Sequence, residues 1–333
     1  MSTPLIDDDL LASRFRERLF RSSDKSVLIA RITDSIEQND KYTTVNCGGY
    51  GRIREFTEYK LYLERAAFPD RPLRPNFRGY PPTDTIRSQV FQLSACNWRC
   101  WYCFVDDDRL SANHRTSRYF SATELIDLYL REPHRPDIID LSGGQPDLVP
   151  EWTLWMVEEC ERRGLIDSVY FWIDDNLSND FLFRYLSNRE LERLAAIPKL
   201  SRMGCFKGFD EKSFAFTTLA NPDHFRRQFE IAGRIISAGF RFYAYATFTT
   251  PDMQFIETRM RTFVDRLQSV HELLPLWTTP LKIYNFSVTN TRLDIKRSQS
   301  LIDQLAVFQI WDDELTRRFT SGQRLLRPDE ICG

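Results

Sequence analysis

The chain has 333 residues, 42% of them hydrophobic, enough to bury the core of one large α/β domain or two ordinary ones. Its 45 basic and 47 acidic side chains leave a formal charge of −2, so no overall field recruits nucleic acid or an anionic membrane. The opening stretch MSTPLIDDDLLASRFRERLF carries acids where a secretory signal is basic, and no segment reaches the roughly 18 apolar residues of a membrane span, so a cytoplasmic protein is expected.

Residues 1–84 read as an accessory region. A charged helical start leads into the glycine-containing turn CGGYGR at 47–52, then into FPDRPLRPNFRGYPP, whose five prolines disfavour helix and central strand and mark a linker or belt. From residue 86 strand and helix patterns alternate. The expected strands are 86–95, 137–144, 168–175, 200–208, 240–249 and 281–288, several of them rich in β-branched or aromatic residues. Between them NPDHFRRQFEIAGRIISAGF predicts a helix: Asn221 caps it, Pro222 suits its first position, Phe225, Phe229, Ala232 and Ile236 share a face, and Gly239 stops it. SLIDQLAVFQIWDDELTRRF predicts a C-terminal helix packed outside. Repeated alternation implies parallel strands joined by crossovers, hence a barrel or an open doubly wound sheet, with chemistry at the C-terminal strand ends.

Seven cysteines, an odd number thinly spread over a long chain, argue against a disulfide framework. Three of them, Cys96, Cys100 and Cys103, crowd into ACNWRCWYC directly after the first expected strand. Zinc wants four tetrahedral ligands, for which His114 is a candidate fourth, but the spacing is not that of a paired zinc knuckle. A [4Fe-4S] cluster held by three thiolates keeps one iron open to a ligand. Unmetallated thiols clustered in such a loop would invite oxidation without purpose. Iron and sulfur are the favoured reading, ahead of zinc.

The C-x3-C-x2-C spacing, with Tyr102 before the last cysteine, resembles that of the radical SAM superfamily. LSGGQP at 141–146, closing the second strand, resembles the family's Gly-Gly-Glu-Pro turn that meets the amino group of S-adenosylmethionine (SAM). Gly143 and Gly144 permit positive φ and close backbone approach, and Pro146 fixes the exit. IDDN at 173–176 and CFKGFDEKSF at 205–214 are similar, more weakly, to segments of the glycyl-radical-enzyme activases, though Cys205 stands where those have Asp.

The resemblance implies a partial (β/α)6 TIM-like radical SAM barrel at 85–290, an N-terminal accessory region at 1–84 and a C-terminal helical tail at 291–333. It implies an enzyme in which Cys96, Cys100 and Cys103 hold a [4Fe-4S] cluster that reductively cleaves SAM to a 5′-deoxyadenosyl radical, which then abstracts hydrogen from a substrate. Gly143, Gly144 and Gln145 would orient SAM, with Tyr102 near the adenine, Asp174 near its methionine end or a monovalent cation, Lys207 nearby, and Thr247 reaching ribose or carboxylate. Gln145 replaces the usual Glu. On this reading its side-chain oxygen accepts from the SAM ammonium, and Gln145→Glu should bind SAM as well or better. An external one-electron donor such as flavodoxin or ferredoxin is implied. The substrate is expected to be a small metabolite covered by residues 1–84 or by the C-terminal tail, with a protein glycine as the alternative. The rivals are a non-enzymatic iron–sulfur electron carrier and a zinc-stabilised module.

The remaining marks read as structural. Cys160 fits a helix core, Cys47, Cys205 and Cys332 lie far apart, and His134, His224 and His271 suit exposed or satisfied positions. Asp106, Asp107 and Asp108 read as a solvated loop, and the 25 Phe and 7 Trp as core packing without the basic interleaving of a nucleic-acid platform.

Overall fold

Runs such as IIDLS and YFWIDD, apolar on both sides of the chain, form strands covered on both faces, which is the habit of parallel sheets. The structure, a computed structural model, describes residues 5–40, 43–56 and 86–324. The proline-rich belt expected near 68–82 and Cys332 lie outside the described residues.

The strands are β1 (Phe20–Arg21), β2 (Ser26–Ala30), β3 (Thr44–Asn46), β4 (Gly51–Phe56), β5 (Ile86–Gln92), β6 (Ser117–Ser121), β7 (Ile138–Ser142), β8 (Tyr170–Asp175), β9 (Leu200–Lys207), β10 (Phe242–Thr247) and β11 (Thr278–Leu281). A mixed eight-stranded sheet runs in the order β11-β10-β9-β8-β7-β5-β4-β3. Its six strands from β5 to β11 are parallel and follow chain order, while β4 pairs antiparallel with β5, and β3 with β4. Among the described residues β11 and β3 are the edges, so the sheet is open and no closed barrel forms. β1, β2 and β6 make a small separate sheet.

The sixth parallel strand ends earlier than the sequence predicts. It occupies Thr278–Leu281, and residues 282–286 run irregularly before a short helix at Ser287–Asn290. Pro280 within β11 suits an edge position. Beyond it, the Gln304 side chain takes the place of a ladder partner, accepting from the Ile283 N–H at 2.8 Å and donating to the Ile283 carbonyl at 3.0 Å.

One face of the main sheet is covered by helices: α1 (Asp8–Leu19), α2 (Ala122–Arg131), α3 (Glu151–Arg162), α4 (Phe181–Tyr185), α5 (Asn188–Ala195), α6 (Glu211–Thr218), α7 (Arg227–Ser237) and α8 (Ile256–Val270) belong to this layer, whose apolar side chains join one large core. The helix expected after Asn221 begins as a 3-10 turn at Pro222–Arg226 and becomes α7. Asn221 Oδ1 accepts from the Asp223 N–H at 3.1 Å, and Gly239 follows at φ 83°. Phe206, Phe225, Phe229 and Phe263 pack there with ring centroids 5.0–6.5 Å apart. The opposite, inner face carries a second cluster of Ile138, Tyr170, Trp172, Met203, Tyr243 and Tyr245.

Among the N-terminal residues described, β4 and β3 extend this sheet through the pairing of β4 with β5. After the short helix α9 (Ser287–Asn290) comes α10 (Ile295–Arg318), which packs against α8 and pairs Arg318 with Asp265 at 2.6 Å.

Candidate functional site: a three-cysteine loop beside a diglycine turn

Where β5 ends, the chain turns into the cysteine loop, and its backbone polar groups are taken up by three other segments. The Cys96 N–H donates to the Leu110 carbonyl at 3.2 Å, and the Arg99 and Trp101 N–H groups donate to the Thr218 and Thr217 carbonyls at 3.0 and 3.2 Å. Thr289 Oγ1 donates to the Tyr102 carbonyl at 3.1 Å, and Arg292 Nη1 to the Cys103 carbonyl at 2.8 Å. Paired backbone of this kind holds a loop in one shape without any metal.

The helix α1 braces the loop from outside. Asp8, 1% exposed, accepts from Trp98 Nε1 at 3.2 Å and meets His224 Nδ1 at 2.8 Å, while its carbonyl accepts from Asn97 Nδ2 at 3.4 Å. Asp8→Ala leaves a buried indole N–H without its acceptor. We expect a stability loss of about 2 kcal/mol in urea unfolding, together with weaker retention of any metal in the loop. Unchanged unfolding would show that α1 does not support the loop.

Cys96, Cys100 and Cys103 are all half-buried free thiols. Burial pushes Cys100 up to about 12 and Cys103 up to about 11, and each is raised further by its neighbouring cysteines. Thiols so placed stay protonated at neutral pH unless a bound cation draws the proton off. Two of the sulfurs face N–H donors: Asn176 Nδ2 lies 3.4 Å from Cys96 Sγ, and the Val105 N–H bonds Cys103. Hydrogen bonds to sulfur suit thiolates ligating iron. His114, needed for a four-ligand zinc set, is exposed beside Tyr119, and no three His, Cys, Asp or Glu among the described residues are gathered for a single metal ion. Three thiols on one loop, two of them facing N–H donors, fit the iron–sulfur group that the sequence implies.

The diglycine turn lies directly against the entry to this loop. Gly143 sits at φ 85°, and a Cβ there would come 2.1 Å from Gln92 Cγ. A Cβ on Gly144 would come 2.2 Å from the Ala95 carbonyl oxygen and 2.4 Å from that of Leu93. Only glycine permits this approach. The Gln145 N–H then donates to the Ala95 carbonyl at 2.8 Å, one residue before Cys96.

Gln145 itself departs from expectation. Its side chain is fully buried, and both ends are engaged within the protein: Nε2 donates to Asp175 Oδ1 at 2.8 Å, and Oε1 accepts from the Asn176 N–H at 2.8 Å. The oxygen expected to take an ammonium instead fixes the end of β8. Asp175 also accepts from the Leu177 N–H at 2.7 Å and faces Arg202 at 3.3 Å, and Arg202 bonds Asp147 as well. Burial pushes Asp147 up to about 7, against the pull of Arg202.

The other expected residues line the inner face. Asp174 accepts from the Ser142 hydroxyl. Lys207 Nζ lies 2.9 Å from Cys205 Sγ and 5.6 Å from the Tyr102 ring centroid; burial opposes its charge, and Cys205, Tyr102 and Cys100 outweigh that and raise its pKa. Tyr102 is buried with Trp101 and Ile283. Thr247 is less available than expected: its hydroxyl accepts from the Gly208 N–H at 3.0 Å and lies 3.4 Å from the Phe206 carbonyl, so it ties β10 to the end of β9.

Several contributors had no sequence signal. Arg52 is fully buried, bonds Glu37 at 3.0 Å and Gln92 at 2.8 Å, and lies 4.7 Å over the Phe104 ring in the cysteine loop. Arg292 was equally unmarked, and Asp175, although within IDDN, was given no role of its own, since each acts through partners remote in sequence.

No protein-family model matches the sequence, and no curated protein matches it. Several solved structures are similar to the chain. Streptococcus suis SuiB bound to precursor peptide SuiA shares 16% identity at a TM-score of 0.46, covering 69% of this chain and 46% of that one. SuiB bound to S-adenosylmethionine shares 15% at 0.44, covering 70% and 48%. A radical SAM methyltransferase from Sphaerobacter thermophilus shares 10% at 0.38, covering 72% and 75%. The chain spans about half the length of the SuiB chains.

Proposed function

We propose that the protein is a radical SAM enzyme, and the observation that carries this reading is the diglycine turn lodged against the three-cysteine loop. An electron carrier or a zinc-stabilised module has no use for a ligand-chelating turn at that place. Cys96, Cys100 and Cys103 would hold a [4Fe-4S] cluster, and Gly143, Gly144 and Gln145 would present backbone to SAM. When bound, the cluster supplies one electron to the sulfonium of SAM, giving methionine and a 5′-deoxyadenosyl radical that takes a hydrogen atom from the substrate.

The chain's own residues do the positioning. Gln145 joins the turn to β8 through Asp175 and Asn176, so the ends of β7 and β8 move as one. Asn176 reaches from that joint to Cys96 Sγ, which couples the turn to the loop. Trp101, Tyr102, Ile283 and Leu281 form an apolar wall beside the cysteines that excludes water. The reactive part would lie within 85–290, braced by Asp8 of α1 and by Thr289 and Arg292. Reducing equivalents would come from a flavodoxin or ferredoxin in the cytoplasm.

The test is anaerobic reconstitution with iron and sulfide, followed by dithionite and SAM. 5′-Deoxyadenosine and methionine in equal amounts are expected. Production no greater than that of a triple Cys→Ala variant would favour the electron carrier.

A further inference from the structure

The inner face holds a carboxylate that nothing described so far uses. Asp140, on β7, is fully buried, and neither oxygen has a hydrogen-bond donor among the described residues. Among the described residues its ion-pair partner is Arg54, whose Nη1 lies 3.7 Å away, beyond hydrogen-bond range. Burying a carboxyl without donors is costly, and such groups are retained where a ligand or ion completes them. Asp140 precedes Ser142, the end of β7, by two residues, which puts it about 7 Å below that end and about 10 Å below Gly143 along the strand, on the side of the sheet that Ser142 and Asp174 also face.

Charge and shape together select what fits. Asp174 stands close enough to raise Asp140 further after burial has done so, and Tyr245 lies beside both carboxyls. Against these two acids stands Arg54, while Arg52 is matched by Glu37 at 3.0 Å. Among the described residues, Asp140 and Asp174 are thus two acids against Arg54, and an entering cation would draw Asp140 back to its ionised form. Trp172 is the residue paired in register with Asp140 on the neighbouring strand, and it belongs to the buried aromatic cluster of Tyr170, Tyr243 and Tyr245. Carboxylate beside aromatic faces suits an organic cation better than a hydrated metal ion.

We propose that Asp140, with Trp172 beside it and Asp174 above it, anchors a basic group of the substrate, a primary ammonium or a guanidinium, beneath the SAM site. The word substrate rests on the radical SAM reading; the cation site itself does not.

The test uses the full reconstituted chain with SAM and no reductant. The probes are Nα-acetyl-lysine methylamide, its uncharged norleucine isostere and potassium chloride, read by equilibrium dialysis for the two organic probes and by thermal melting for all three. A charge-assisted contact predicts that the lysine probe binds roughly ten-fold or more tightly than norleucine, and that Asp140→Asn removes the difference. Equal binding of the two probes by the unaltered chain overturns the proposal even if the variant does not fold. A preference that survives Asp140→Asn, or stabilisation by potassium equal to that by the lysine probe, also overturns it. Loss of SAM affinity in Asp140→Asn as large as the loss of probe affinity would reassign Asp140 to the cofactor. Because no turnover is needed, a lysine preference without deoxyadenosine production would leave the cation site standing and remove the radical reading, and the converse result would do the opposite.

Discussion

Replacing any one of Cys96, Cys100 or Cys103 by Ala is expected to abolish iron retention and SAM cleavage together, while the chain stays folded. About four irons per chain should fall to below about one, because a cubane cluster left with two protein thiolates loses its hold. The protein should survive because the loop's shape does not depend on metal: its N–H and carbonyl groups are paired with Leu110, Thr217, Thr218, Thr289 and Arg292. The half-buried thiols make few other bonds, so loss of one sulfur atom is a small packing defect. Iron analysis and the absorption of the reconstituted protein measure the first effect, and urea unfolding of the metal-free proteins the second. Undiminished iron in all three variants would remove the cysteine loop as the metal centre. Gross unfolding of the metal-free variants would show that the loop is a structural core and not a preformed receptacle.

Gln145→Glu, which the sequence alone marks as harmless or beneficial to SAM binding, is expected to destabilise the protein by about 3 kcal/mol, the scale for an uncompensated buried charge. The amide nitrogen now donates to Asp175 Oδ1 at 2.8 Å. A carboxylate in its place would face Asp175 oxygen to oxygen in a fully buried setting, with Asp147 nearby and Arg202 the shared cation. Three acids around one guanidinium leave charge unmatched. Asp175→Asn should restore much of the loss by turning one acceptor into a donor, so the double variant should be more stable than Gln145→Glu alone. A double-mutant cycle from urea unfolding measures that coupling. If Gln145→Glu unfolds at the same urea concentration as the parent chain, the buried amide bridge has no energetic role. Asp175 thus selects an amide over a carboxylate at position 145.

How much was legible in the sequence follows from how local each signal is. The cysteine spacing and the diglycine turn are local, since a few consecutive residues determine which groups meet, and the structure brings those two segments into contact. Parallel strands such as β7 and β8 announced themselves as doubly buried runs. Which of two adjacent acids faces which side was not legible. Asp174 and Asp175 alternate across the sheet, and only the register against β9 shows that Asp174 lines the inner face while Asp175 reaches Gln145. The sixth strand was misplaced because the side chain of Gln304, far along α10, satisfies the Ile283 backbone. Thr247 looked available because a strand-end hydroxyl gives no sign that the neighbouring strand will claim it.

The bracing of the cysteine loop also sets an order of events in the life of the chain. Its partners lie at Asp8, at Thr217 and Thr218, and at Thr289 and Arg292, so the loop closes only when nearly the whole length from the first helix to the segment before α10 has assembled. Contacts of such wide sequence separation form late in folding, after the entropy of closing the intervening chain has been overcome. On the proposed function, cofactor loading would therefore be a step of maturation and not of nucleation: a nascent chain released short of Arg292 has its three cysteines but not the bonds that hold their loop, and the metal would enter an already folded recipient.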